Sequence, residues 1–155
     1  NDMAKRGLFI VIEGLDRCGK STQITKLQQA LSTKNKTHVW EFPDRQSETG
    51  VMLDAYLSKK KKDMSLQAVH LLFSANRWEK SDALTKLINA GDHIVCSRYA
   101  YSGVVYTMGK NLDWDWCKMP DVGLPEPDLV IFLDIDPEVA AKRDGYGDEI
   151  YEQVE

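Results

Sequence analysis

The segment LFIVIEGLDRCGKS, from Leu8 to Ser21, carries the strongest signal in this sequence. Its first half, Leu8 to Glu13, is a continuous run rich in β-branched apolar residues, which is typical of a strand buried on both faces. Its second half, from Gly14 onward, matches the pattern G-x-x-x-x-G-K-[ST]. The glycines let successive backbone N–H groups point inward at an anion, and a helix that begins near Lys20 adds its positive end. The segment therefore predicts a phosphate-binding loop between a buried strand and a helix.

Strand and helix patterns alternate along the rest of the chain. Further buried strands are predicted at 37–42, 93–97 and 129–133, and helices at 20–31, 50–57, 64–90, from 101 onward and at 137–143. Residues 109–127 are rich in Gly, Pro, Asp and Trp and are expected to form a long loop or short turns. Strands that alternate with helices form a parallel sheet covered on both faces. We therefore predict a three-layer α/β fold of the P-loop NTPase type, with residues 1–155 as one domain.

The composition is that of a globular protein of 155 residues, with 43% hydrophobic and 28% charged residues. The net charge of −4 does not favour nucleic-acid binding. No apolar run approaches the roughly 18 residues of a membrane span, and Asn1 to Arg6 lack the apolar stretch of a signal peptide. The cysteines Cys18, Cys96 and Cys117 are odd in number and widely spaced, so we expect free thiols rather than a disulfide scaffold or a zinc site.

Charged and polar residues within the loop indicate which groups of a nucleotide it could bind. Lys20 supplies a point charge for the β- and γ-phosphates of a nucleotide, and Ser21 offers a hydroxyl to Mg²⁺. Arg17 could neutralise charge on a transferring phosphoryl group. Asp16 would repel phosphates unless it binds a sugar hydroxyl or a cation. The loop alone does not distinguish a GTPase, an ATPase and a small-molecule kinase, so the choice depends on residues elsewhere.

Three further arginines are candidates for binding a second phosphate. Arg45 follows the second predicted strand, Arg98 follows the third, and Arg77 lies in the long predicted helix. Ligands of an open α/β sheet bind beyond the carboxyl ends of its strands, so Arg17, Arg45 and Arg98 are expected to reach one edge. Each of them alone could instead form a surface ion pair.

Phe73 lies one helical turn before Arg77, so the two share a face of the helix. An aromatic plane beside a guanidinium group suits a flat base, through stacking and hydrogen bonding. The neighbouring Leu71 and Leu72 are expected to lie in the core, and Phe73 could have either role.

The chain resembles the thymidylate kinase family, in its eukaryotic and poxviral form. The resemblance rests on segments that follow in family order across nearly the whole chain: FIVIEGLDRCGKSTQ, FPDR, LLFSANRWE, SRYAYSGVVY, WCKMPDVGLPEPDLVIFL and GDEIYE. It implies an enzyme that transfers the γ-phosphoryl group of ATP to dTMP, with Mg²⁺ as cofactor and the two nucleotides as its partners. It also implies a cytoplasmic homodimer, with the nucleus and the mitochondrion left open as locations.

The resemblance implies a role for each matching residue. Phe73 would stack on thymine, and Arg77 would hydrogen-bond the edge of the base. Asp16 would contact the sugar 3′-hydroxyl, while Tyr106 would crowd the 2′ position and favour deoxyribose. The other implied dTMP-binding residues are Phe42, Arg45, Arg98, Ser102, Gly103 and Tyr151, with Arg45 and Arg98 at the phosphate. ATP would be bound by Gly14, Arg17, Cys18, Gly19, Lys20, Ser21, Thr22 and Arg143, and catalysis would rest on Arg17, Lys20 and Arg98.

The sequence departs from the family pattern at two places. Ser97 stands before Arg98 where the family usually has an aspartate that organises Mg²⁺, so Ser21 and Ser97 are the candidate metal ligands and we expect weaker metal binding. The chain ends at Glu155, inside a region that resembles the ATP lid from about 143 to 155, whereas the family continues through further helices and a last strand. We therefore expect the C-terminal part of the fold to be absent.

Two alternatives remain open at this stage. A deoxynucleoside kinase would phosphorylate a neutral sugar hydroxyl, which needs a carboxylate base and fewer arginines, so Arg45 and Arg98 argue against it. A non-catalytic nucleotide-binding protein is favoured only by Ser97 and by the shortened C-terminal part.

Overall fold

A computed structural model describes residues 6–58 and 63–142 of the chain. Three predictions concern residues outside these ranges: the ATP lid at about 143–155 and the implied nucleotide contacts of Arg143 and Tyr151. The helices and strands follow the predicted alternation. In chain order they are β1 Phe9–Gly14, α1 Lys20–Leu31, β2 Thr37–Glu41, α2 Glu48–Leu57, α3 Leu66–Asn89, β3 His93–Ser97, α4 Ala100–Met108, α5 Trp114–Lys118, a 3₁₀ turn at Met119–Asp121, β4 Leu129–Leu133 and α6 Pro137–Ala141.

The four described strands form one parallel sheet in the order β2-β3-β1-β4. In this sheet Val11 of β1 lies opposite Cys96 of β3 on one side and Val130 of β4 on the other. Every residue of β1 is buried, as the apolar run predicted. The central position of β1 brings the loop that follows it to the middle of the carboxyl edge of the sheet.

Helices cover both faces of the sheet. On one face, Leu84 and Ile88 of α3 pack against Phe9 and Val11 of β1 in a buried cluster. On the other face, Ile24 of α1 packs against Ile12 and Val95. These layers confirm the predicted α/β fold. No described helix is both long enough and apolar enough to cross a lipid bilayer.

The end of α3 is set by Gly91, which has a φ of +93°. The N–H of Gly91 donates to the carbonyl of Ile88 and the N–H of Asp92 to that of Leu87, which is the hydrogen-bond pattern of a Schellman motif. A side chain at this left-handed position would add strain, so glycine is preferred here. The motif turns the chain directly into β3.

The predicted burial of β4 is wrong, although its position is correct. Ile131 and Leu133 pack against the cluster on the α1 side, whereas Leu129 and Phe132 are 50% and 65% exposed. The cluster on the α3 side contains no residue of β4, so the described residues cover mainly one face of this edge strand. A continuous apolar run indicates a strand, but its burial depends on which helices lie over it.

Two smaller predictions also need correction. Leu71 is 48% exposed rather than part of the core. Within 109–127, which was expected to be a loop or short turns, the structure has the short helix α5, and the side chain of Asp113 caps it by accepting a hydrogen bond from the N–H of Trp116 over 2.8 Å.

Candidate active site

A cavity of about 650 Å³ lies at the carboxyl edge of the sheet. This is where open parallel sheets bind their ligands. Most of the predicted site residues line it: Asp16, Arg17, Gly19, Lys20, Ser21, Thr22, Phe42, Arg45, Phe73, Ser97, Arg98, Ser102, Gly103 and Tyr106. Gly14, Cys18 and Arg77 do not line it. The structure therefore brings residues from five separate segments of the sequence into one site.

The loop between β1 and α1 has the backbone of an anion site. Gly14 and Gly19 have φ values of +144° and +100°, which residues other than glycine rarely adopt. A Cβ atom on Gly14 would also lie 2.6 Å from the carbonyl oxygen of Leu133. Gly19 directly precedes the first turn of α1, so the positive end of that helix faces the cavity.

Lys20 is held inside this loop. Its Nζ atom donates to the carbonyl oxygens of Gly14 over 3.0 Å and Leu15 over 2.6 Å, and only 8% of the residue is exposed. Burial lowers the pKa of the Lys20 ammonium group, and the positive charge of Arg98 lowers it further. Asp16 lies 3.9 Å from Nζ and opposes this effect, and an anion bound in the loop would favour the charged ammonium further.

Arg98 connects the loop to the opposite wall of the cavity. Its backbone is left-handed, with a φ of +63°, and its N–H donates to the carbonyl of Ile12 in β1 over 3.0 Å. Its guanidinium group donates to Asp16 over 2.6 Å and to the hydroxyl of Ser102 over 3.1 Å, and it lies 5.4 Å from the ring centroid of Tyr106. Burial alone would lower the pKa of Arg98, but Tyr106 and Asp16 together raise it. The guanidinium is thus a fixed and permanently charged group.

Glu13, the acidic residue near the end of β1, was not identified from the sequence. It is 5% exposed, and its carboxylate accepts hydrogen bonds from the N–H groups of Tyr99 over 2.9 Å and Ser102 over 3.3 Å, as well as from the hydroxyl of Ser102. A signal was available, because a carboxylate at the end of a buried apolar strand must find hydrogen-bond partners. Its partners, however, lie more than 80 positions away in the sequence (86 and 89).

The opposite end of the cavity is aromatic and basic. Phe73 packs against the buried residues Tyr56, Leu57 and Val69, as a core residue would, and it also lines the cavity. Arg45 lies at the same end and donates to Asp54 over 2.7 Å, with 40% of its side chain exposed.

Arg77 lies behind the cavity wall rather than in it. It is 2% exposed, and its Nε and Nη2 atoms donate to both carboxylate oxygens of Asp121 over 2.7–3.0 Å. Its guanidinium group reaches Gly103, where an added Cβ atom would lie 2.9 Å from Nη2 and 3.0 Å from Nη1. Gly103 lines the cavity, so its lack of a side chain leaves space between the guanidinium and the cavity. Asp121 was not identified from the sequence.

Ser21 and Ser97, the candidate metal ligands, both line the cavity, and so does Asp16. Residues 6–58 and 63–142 contain no group of three or more His, Cys, Asp or Glu side chains that could hold a metal by themselves. Mg²⁺ is usually bound by one or two protein oxygens together with substrate phosphates and water. This donor set fits a magnesium ion that arrives with a nucleotide.

Comparison with known proteins places the chain among nucleotide kinases. The family model for thymidylate kinase matches residues 12–155. The thymidylate kinases of Arabidopsis thaliana and Homo sapiens are 51% and 50% identical to the chain, over 97% and 96% of its length. The chain spans 57% of the Arabidopsis protein and 71% of the human protein.

A solved structure supports the same assignment. The thymidylate kinase of Candida albicans is 46% identical and superposes with a TM-score of 0.89, over 96% of this chain and 72% of that one. Members of this family are phosphotransferases that use ATP. The resemblance seen in the sequence is thereby confirmed, and the chain belongs to the thymidylate kinase family.

Proposed function

We propose that this chain is the nucleotide-binding core of a kinase that transfers the γ-phosphoryl group of ATP to dTMP. The observation that carries the proposal is a cavity that is lined by basic side chains at two ends. Lys20, Arg17 and the loop backbone lie at one end, and Arg45 and Phe73 lie at the other. Arg98 stands between them, bonded to Asp16 of the loop. Membership of the thymidylate kinase family supports this choice of donor and acceptor.

In this proposal the protein positions two ionised phosphates and neutralises their charge. A phosphate oxygen of dTMP attacks the γ-phosphorus of ATP in line, and ADP leaves with the bridging oxygen. The attacking oxygen carries its own negative charge near neutral pH, so no general base is required. Lys20, Arg17 and Arg98 stabilise the transferring group because fixed charges in a partly buried site need no reorganisation during the reaction.

Magnesium fits the donor groups of the cavity. Ser21 and Ser97 would hold the ion together with ATP, and the ion would offset part of the phosphate charge. Ser97 provides a neutral hydroxyl at a position where the family usually has a carboxylate, so we propose that magnesium binds this chain more weakly than it binds a typical member.

The acceptor end would recognise a deoxyribonucleotide by its base and its sugar. Phe73 provides a partly buried ring on which thymine can stack. Arg77, held by Asp121, would face the edge of the base across Gly103. Asp16 would bind the sugar 3′-hydroxyl while remaining close to Arg98, and Tyr106 would close the space beside the 2′ position.

The two alternatives are less well supported. A deoxynucleoside kinase needs a carboxylate that is available as a base, and the Asp16 carboxylate in this cavity is already paired with Arg98 over 2.6 Å. A non-catalytic nucleotide-binding protein would not need the arginines at the acceptor end. The cytoplasmic location and the homodimer are proposed from the family resemblance alone.

An ADP-release assay with several acceptors tests the function. The purified protein is supplied with Mg·ATP and, in parallel, dTMP, thymidine, dUMP or dGMP. We expect ADP release with dTMP and none with thymidine. Phosphorylation of thymidine but not of dTMP would contradict the proposal, and tight ATP binding without turnover of any acceptor would favour the non-catalytic alternative.

A further inference from the structure

Glu13 lies between two residues of β1 that contact the ATP side and the dTMP side of the proposed site. It lies in β1 between Ile12, whose carbonyl accepts the N–H of Arg98, and Gly14, whose carbonyl accepts a hydrogen bond from Lys20. Three consecutive residues of one buried strand thus contact the backbone of Arg98, the first turn of α4 and the side chain of Lys20. Glu13 is the charged member of the three, and it is 5% exposed.

The carboxylate of Glu13 caps helix α4 from another strand. Tyr99 is the N-cap residue of α4 and its own side chain makes no capping hydrogen bond. One oxygen of Glu13 accepts the N–H of Tyr99 over 2.9 Å and the N–H of Ser102 over 3.3 Å. These are the N-cap and N3 groups that a capping box satisfies within one segment. A negative charge at this end of the helix also complements its dipole.

The second oxygen of Glu13 sets the orientation of Ser102. The hydroxyl of Ser102 donates to this oxygen, so its lone pairs are left to accept the hydrogen bond from Nη1 of Arg98 over 3.1 Å. A serine hydroxyl has only one proton. Because Glu13 takes that proton, Ser102 acts as an acceptor toward Arg98, and the guanidinium group is held from the side opposite Asp16.

We propose that Glu13 is a positioning residue that aligns Arg98 with the phosphate loop through Ser102. This inference rests on the proposed function, in which Arg98 lies between the donor and acceptor ends, and on the role at the dTMP phosphate that the family resemblance implies for Arg98. Glu13 does not line the cavity, so we expect it to contact neither nucleotide. Its effect should therefore appear in the binding and alignment of dTMP and not in the binding of ATP.

The test compares steady-state kinetics of Glu13→Gln, Ser102→Ala and the double variant. Glu13→Gln keeps the size of the side chain but replaces one of its two acceptor oxygens with an NH₂ donor. The variant therefore loses either the acceptor of the Ser102 hydroxyl or the acceptor of the Tyr99 and Ser102 N–H groups. We expect the KM for dTMP to rise about tenfold, with the KM for ATP within about twofold of the wild-type value. Ser102→Ala should have a similar effect, and the double variant should be no worse than the stronger single variant, since both remove one connection.

The matched control is Glu79→Gln. Glu79 also accepts hydrogen bonds from the first turn of a helix, at the N–H and hydroxyl of Thr49 in α2, but it does not line the cavity. We expect this variant to keep the wild-type KM for both nucleotides. It therefore reports the effect of losing a capping carboxylate as such.

Each outcome decides one claim. An active wild-type protein whose Glu13→Gln variant has only a lower thermal midpoint, with unchanged KM for dTMP, would show that Glu13 is merely structural. If the increases in the KM for dTMP caused by Glu13→Gln and Ser102→Ala multiply in the double variant, the two residues act independently, and Glu13 does not act through Ser102. If Glu13→Gln does not fold, Ser102→Ala decides alone by the same KM criterion. A wild-type protein without dTMP turnover would instead contradict the proposed function, and the role of Glu13 with it.

Discussion

Arg77 and Asp121 form a buried, bidentate ion pair behind the wall of the cavity at Gly103. The two side chains are 2% and 7% exposed, and Nη2 of Arg77 lies 2.7 Å from Oδ2 of Asp121. The hydroxyl of Ser74 donates to the same carboxylate over 2.7 Å. The pair joins α3, which contributes Phe73 to the cavity, to the 3₁₀ turn at Met119–Asp121, which lies outside it.

Removal of one partner should destabilise the protein strongly. Asp121→Asn leaves the guanidinium of Arg77 buried without an opposite charge, and breaking a buried pair in this way costs about 3–5 kcal/mol. We expect a loss of this size in the free energy of unfolding, measured by urea denaturation. The control is Asp115→Asn, because Asp115 forms an exposed pair with Lys118, with side chains 84% and 45% exposed, and should cost less than about 1 kcal/mol. Equal losses in the two variants would contradict the structural role of the buried pair.

The fold was predictable because its signals are local. The strand at Phe9–Gly14, the helix at Lys20–Leu31 and the loop between them are each encoded in consecutive residues, and the alternation of such segments favours a parallel sheet. The burial of β4 was not predictable in this way. An apolar run shows that both faces of a strand could be buried. Which faces are buried depends on the helices that pack against them, and these come from distant parts of the sequence.

The site was predictable only in part, for the same reason. The arginines and Phe73 stand out because they follow strands or share a helix face. The residues that hold them do not stand out, since Arg77 and Asp121 are 44 positions apart and Glu13 and Tyr99 are 86 apart. Only the three-dimensional fold shows that Glu13 orients Ser102 and that Asp121 holds Arg77.

Gly103→Ala should weaken dTMP binding without weakening the fold. An added Cβ atom would lie 2.9 Å from Nη2 of Arg77, and Arg77 cannot move away cheaply because Asp121 holds it. Alanine in a helix interior is about 1 kcal/mol more favourable than glycine, so the clash and the helix preference oppose each other in stability. We expect the KM for dTMP to rise about tenfold and the thermal midpoint to stay near that of the wild type.

Gly109→Ala is the matched control for that substitution. Gly109 lies at the other end of α4, and an added Cβ atom would approach nothing closer than the carbonyl oxygen of Val105 at 3.5 Å, an ordinary contact. The KM for dTMP should remain unchanged in this variant. A wild-type KM in Gly103→Ala would show that Arg77 does not take part in acceptor recognition.

Binding of ATP should take up a proton in the alkaline range because of Lys20. Burial, with the charge of Arg98, lowers the pKa of Lys20 below its ordinary value of 10.5. In the unliganded protein, Lys20 therefore loses its proton at a pH below 10.5, whereas bound phosphates favour the charged ammonium and raise the pKa again. Between these two pKa values, binding adds a proton, and the affinity for ATP falls as the pH rises.

Calorimetry in two buffers measures this proton directly. Above about pH 8 the phosphates of ATP are fully ionised, so in a series of measurements from there up to the ordinary Lys pKa, proton uptake by the protein appears as a difference in binding heat between buffers of different ionisation enthalpy. Lys20→Met should remove the difference, because methionine does not titrate. Identical heats for the wild-type protein in both buffers would contradict the lowered pKa of Lys20.

Arg17 should contribute more to the rate of phosphoryl transfer than to the binding of dTMP. It lies inside the phosphate loop with a φ of +65° and lines the cavity, so its guanidinium can meet the charge that develops on the transferring group. For Arg17→Ala we expect kcat to fall about a hundredfold or more, while the KM for dTMP changes by less than about threefold. Arg17→Lys retains a positive charge at the same backbone position and should recover part of the loss. An unchanged kcat in Arg17→Ala would remove Arg17 from the catalytic residues and leave Lys20 and Arg98 to neutralise the transferring group.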